Sequence, residues 1–136
     1  LKEKNIACIV ATHDKNDALS FADSLLIIRN NKILVNNTPI EIYKNPKNKY
    51  IAALFDDVND IVLNDEKALL YPHQIKVVEN LATNTALPII TATVLNSYFK
   101  GAYWLIEAVF ENQVVFLNHN ADLEKNKAIH VSFALK

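Results

Sequence analysis

Few residues in this chain combine a reactive type with a telling position, and His13 leads them. It follows the apolar run Ile6-Ala7-Cys8-Ile9-Val10-Ala11 and Thr12, and it precedes Asp14, a residue type suited to capping a helix. A polar group at the C-terminal end of a buried strand, just before a helix N-terminus, stands where α/β sheets bind ligands. There an imidazole can donate a hydrogen bond to a phosphate, or it can satisfy backbone groups at the strand end; spacing alone leaves both roles open. His73, His119 and His130, with Glu107 and Asp122 as candidate carboxylates, show no metal-ligand spacing, so no metal site is expected. His119, between Asn118 and Asn120, reads as part of a turn. Tyr98, Phe99, Tyr103 and Trp104 gather around Gly101. Such aromatics either stack on bases or pack across a hairpin, and with no basic groove beside them the hairpin reading is preferred.

These residues need elements to hold them. The run 6–11 has the continuous apolar character of a strand buried on both faces. Asp14 then starts a helix carrying Ala18, Leu19, Phe21 and Ala22 on one side, with Asp17 in the first turn where a negative charge suits the dipole. Leu25–Ile28 predicts a second strand, Asn30-Asn31 a turn, and Lys32–Val35 the returning strand. Thr38-Pro39 opens a short helix through Ile40, Ile42 and Tyr43; Asn45-Pro46 breaks it, and a further short helix is predicted over 47–55. From Asp56 onward the helical period is lost. Short alternating or β-branched runs follow at 58–63, 68–71, 75–78, 89–99, 103–110, 114–117 and 129–135, separated by Asn, Asp, Pro or Gly. The predicted class is therefore α+β: an α/β tail over residues 1–55 and a small all-β, OB-like barrel over 56–136.

Composition narrows the function. Of 136 residues, 51% are hydrophobic and 21% charged, which suits a packed core rather than a disordered chain. A net charge of −1 leaves no electrostatic footprint for nucleic acid, and none is expected as a partner. Cys8 is the sole cysteine, so no disulfide framework or multi-Cys zinc site can form, and in its apolar run it reads as a small core residue. No apolar stretch approaches a membrane span, and the chain reads as soluble and cytoplasmic. It has one glycine, Gly101, so a glycine-rich phosphate loop cannot be built from these residues. A start without methionine predicts a fragment of a longer protein.

The ordered series Ile9-Val10-Ala11-Thr12-His13-Asp14, Asp17-Ala18-Leu19 and Ala22-Asp23 resembles the end of the nucleotide-binding domain of ABC transporters. So do Leu25–Arg29, Asn31-Lys32-Ile33, Asn37-Thr38-Pro39, Glu41-Ile42-Tyr43 and Asn45-Pro46, with Asn31 and Asn37 standing where that family normally has glycine. Asparagine tolerates the backbone those positions need. Downstream, Tyr71-Pro72-His73-Gln74-Ile75 is similar to the R-P-E-x-I start of the TOBE domain of importer ATPase subunits. Val94–Gly101 is similar to its V-x-x-x-x-F-x-G hairpin, and 129–135 to its closing strand. Tyr71 and His73 replace the Arg and Glu of that pattern, so a role carried by that pair does not transfer.

The resemblance implies the C-terminal part of an importer ATP-binding subunit, of the ferric iron or polyamine type. His13 would then be the switch histidine at the γ-phosphate, with Asp14 beside it as a cap. The parent would use ATP and Mg²⁺. It would work as a homodimer, partly through the TOBE domain, and would sit on the inner face of the membrane through permease subunits served by a solute-binding protein. This chain has no G-x-x-x-x-G-K-[ST], no apolar strand ending in Asp-Glu and no L-S-G-G-Q, so it is not expected to bind or hydrolyse ATP alone. A free-standing OB-like module for a small oxyanion or nucleic acid is the alternative. Without covering layers, the strands at 6–10 and 25–28 are expected to expose apolar faces.

Overall fold

The structure, a computed structural model, describes residues 6–79 and 87–134. It is mostly β with a few short helices, and it forms two compact units, Leu1–Lys47 and Asn48–Lys136. The units divide at Lys47/Asn48, upstream of the 55/56 boundary read from sequence, so the third helix belongs to the second unit.

In the first unit, helix α1 (Lys15–Phe21) is followed by the antiparallel pair β1 (Leu25–Arg29) and β2 (Lys32–Asn37) and by helix α2 (Pro39–Lys44). Asn30 and Asn31 turn the hairpin with φ of 52° and 62°. Positive φ at both central residues marks the tight turn whose twist matches that of paired strands, and asparagine tolerates it best after glycine. Thr38 caps α2 through its hydroxyl, which accepts from the Glu41 N–H at 3.4 Å, and Pro39 fills the first helical position where no N–H is needed.

One expectation fails here. Residues 6–11 form no strand; Ile6, Ile9 and Val10 are exposed, Ile9 almost completely at 99%. A strand buried on both faces is stabilised by neighbours on each edge and by layers above and below. Among the described residues no strand pairs with this run. The exposure expected for the β1 region does occur: Leu26 and Ile28 are open, while Ile27 and its register partner Val35 are buried.

The second unit begins with helix α3 (Lys49–Ala53), capped by the Asn48 side chain at 2.9 Å from the Ile51 N–H. The hairpin β3 (Asn59–Leu63) and β4 (Glu66–Leu70) comes next, then a 3-10 turn at Pro72–Gln74. A five-stranded antiparallel sheet completes the unit: β5 (Lys76–Val77), β6 (Ile89–Phe99), β7 (Trp104–Phe110), β8 (Gln113–His119) and β9 (Ala128–Ser132). Its order is β5-β9-β6-β7-β8, so the last strand lies inside the sheet between β5 and β6. A bulge between Val94 and Asn96 lets β6 bend, and the sheet curls until residues of its two edge strands, β5 and β8, line a common groove. The unit is thus compatible with a small barrel-like domain. Leu135, assigned from sequence to the final strand, lies outside the described residues.

Strict alternation sets the core. Val115 and Leu117 of β8, Ile106, Ala108 and Phe110 of β7, and Ala92 and Val94 of β6 point inward with Ile61, Ile75, Val131 and Phe133. Val114, beside inward Val115, is 51% exposed. Among the described residues no helix is long and apolar enough to cross a membrane.

Candidate functional site

His13 lies in the irregular segment before α1, and it is exposed. Its neighbours are fully engaged in ordering the turn. Thr12 Oγ1 accepts from the Asp14 N–H at 3.0 Å, and Asp14 Oδ1 accepts from the backbone N–H groups of Asn16 at 2.8 Å and Asp17 at 3.4 Å. The first intrahelical bond runs from the Ala18 N–H to the Asp14 carbonyl at 3.1 Å. Asp14 therefore works as a cap, because its carboxylate satisfies two of the N–H groups that a helix start leaves unpaired. The same bonds hold His13 at the mouth of the helix, where its imidazole is open to solvent.

The other singled-out residues are dispersed. His73 sits on the 3-10 turn with its ring stacked on Tyr71 at 5.8 Å between centroids and an interplanar angle of 7°. His130 Nδ1 is 3.2 Å from Thr91 Oγ1, across the β6–β9 ladder where the two residues are register partners. His119 is not in a turn: it ends β8 opposite Trp104. The flanking asparagines suggested a turn, but Asn118 belongs to the strand and only Asn120 begins the loop. Glu107 accepts from Asn96 Nδ2 at 2.8 Å on the outer face of the sheet, and Asp122 is exposed. Among the described residues, no three His, Cys, Asp or Glu side chains come together as metal ligands. Cys8 is exposed, since the strand expected to bury it does not form.

Of the four aromatics around Gly101, Phe99 and Trp104 pack across the hairpin, while Tyr98 and Tyr103 are exposed. Phe99 and Trp104 are register partners whose rings meet at 5.1 Å and a 52° tilt, one of the geometries that aromatic quadrupoles favour. Gly101, at φ 89°, makes the turn between them, and the Lys100 N–H closes it on the Tyr103 carbonyl at 2.9 Å.

Sequence reasoning missed a second feature, a groove of about 510 Å³ where β5 meets the end of β8. Lys76, Val77 and Glu79 line one side, and Ala102, Tyr103, Asn118, His119 and Asn120 line the other. Asn118 Oδ1 is buried there without a hydrogen-bond partner. The only sequence signal for it was the bunching of polar residues at 118–120, which looks the same as loop composition.

No family model matches this chain. It is similar to spermidine/putrescine import ATP-binding proteins called PotA. That of Vibrio cholerae is 36% identical over 58 residues, which cover 43% of this chain and 15% of the relative. That of Pseudomonas fluorescens is also 36% identical over 58 residues, covering 16% of the relative. The PotA of Aster yellows witches'-broom phytoplasma is 23% identical over 152 aligned positions, covering 97% of this chain and 36% of the relative. The matched region thus spans between 15% and 36% of the length of these relatives. These matches support the importer ATP-binding resemblance seen in the sequence.

Proposed function

We propose that this chain is the C-terminal part of an ABC importer ATP-binding subunit, and that the solute imported is a polyamine. The alignment with the phytoplasma PotA carries the reading, because it runs through 97% of the chain and so takes in both compact units. The polyamine is preferred to ferric iron because the relatives are named for spermidine and putrescine.

The chain's own contribution to nucleotide chemistry is His13. Held at the start of α1 by the Thr12 and Asp14 bonds, its imidazole would donate to the terminal phosphate of ATP and keep phosphate and attacking water in line. Phosphoryl transfer asks the protein mainly for positioning and charge stabilisation, so one well-placed donor has a large effect. This chain supplies no phosphate loop and no Mg²⁺ ligand from a phosphate loop, so those parts come from elsewhere in the parent. ATP and Mg²⁺ serve that parent. The second unit is read as its TOBE domain, a small OB-like barrel that contributes to homodimer contacts and regulation. The parent then works at the inner face of the cell membrane with permease subunits and a solute-binding protein. A free-standing OB-like binding module is not favoured, since such a protein gives no reason for the PotA likeness.

Two measurements test the reading. On this reading, the coding region before Leu1 is expected to carry the glycine-rich phosphate loop and the signature motif, and the natural product is expected to hydrolyse ATP. Reconstituted with its permease and binding protein in vesicles, it takes up labelled spermidine and not ferric iron. A coding region lacking those motifs overturns the ATPase assignment; iron uptake overturns the solute.

A further inference from the structure

We draw no further inference here: the strongest candidate, the open apolar groove of about 730 Å³ beside β5, walled by Leu70, Val77, Val78, Leu87 and Phe133, carries nothing because nothing in the structure shows what covers it.

Discussion

The side chain of Asn59 pairs with the backbone of Phe116 as another strand would. Asn59 Nδ2 donates to the Phe116 carbonyl and Asn59 Oδ1 accepts from the Phe116 N–H, both at 2.7 Å. Gln113 repeats the device in the opposite direction: its Oε1 accepts from the Val62 N–H at 2.7 Å, and its Nε2 donates to the Val62 carbonyl at 2.8 Å. Two carboxamides, one from each element, thus stitch β3 to the edge of β8 without a backbone ladder. Asn59 is a buried polar residue at 4% exposure, and both of its side-chain atoms are satisfied.

Asn59→Ala should lower stability by about 2–4 kcal/mol, because it removes two hydrogen bonds and orphans both backbone groups of Phe116. Asn59→Asp should keep the bond from the Phe116 N–H but set a carboxylate against a carbonyl. Burial and that carbonyl raise its folded-state pKa, so the deficit is full at neutral pH and shrinks as pH falls through that value. Urea unfolding across pH reads both effects. A deficit independent of pH for the Asp variant would disprove the pairing.

Three hairpins turn without glycine, at Asn30-Asn31, Asn64-Asp65 and Glu111-Asn112, all with positive φ. Glu111, at φ 48°, has a side chain that gains no local hydrogen bond in that conformation, unlike asparagine. Glu111→Asn should therefore stabilise the second unit by about 0.5–1 kcal/mol, and Asn112→Gly by a similar amount. Thermal melts of the two variants should move upward.

Neighbouring positions on β8 should respond oppositely. Leu117, fully buried in the core, should cost about 2–5 kcal/mol on replacement by alanine. Val114, half exposed on the outer face, should cost no more than about 0.5 kcal/mol. Comparable losses at the two sites would mean that the strand register is wrong.

His13→Ala should leave the stability of this chain unchanged, since the side chain is exposed. In the ATP-hydrolysing parent it should lower kcat severely with little change in nucleotide affinity. Asp14→Ala should do the reverse in the chain itself, costing about 1 kcal/mol by removing the α1 cap. A normal turnover number for the His13 variant would reduce that residue to a bystander.

Strands from β3 onward were legible because hairpins carry their own instructions. Alternation chose the faces of β6, β7 and β8, and an asparagine, which tolerates positive φ, stood in each of three turns. The caps at Asp14 and Thr38 followed from side chains that compete for backbone N–H groups, whereas Asn48, read as part of the helix over 47–55, caps it instead. The segment 6–11 failed for the opposite reason: its apolar run describes what it prefers, and its pairing depends on strands that no local signal supplies. The groove was hidden likewise, because Lys76, Glu79 and Asn118 come together only when the sheet curls. The carboxamide stitches were beyond reach too, since Asn59 and Phe116 are 57 positions apart and nothing local distinguishes Asn59 from a turn asparagine.

The place of β9 has a consequence for how this polypeptide is made. Ala128–Ser132 lies between β5 and β6, so both neighbours are synthesised before the strand that joins them. During translation β6, β7 and β8 can zip up in order, each against the one just finished, while β5 must wait with an unfilled edge. Until residues 128–132 clear the ribosome, that gap is a sticky seam open to any passing strand. A stop codon or a stall shortly before Ala128 would therefore release a split sheet rather than a slightly shortened one.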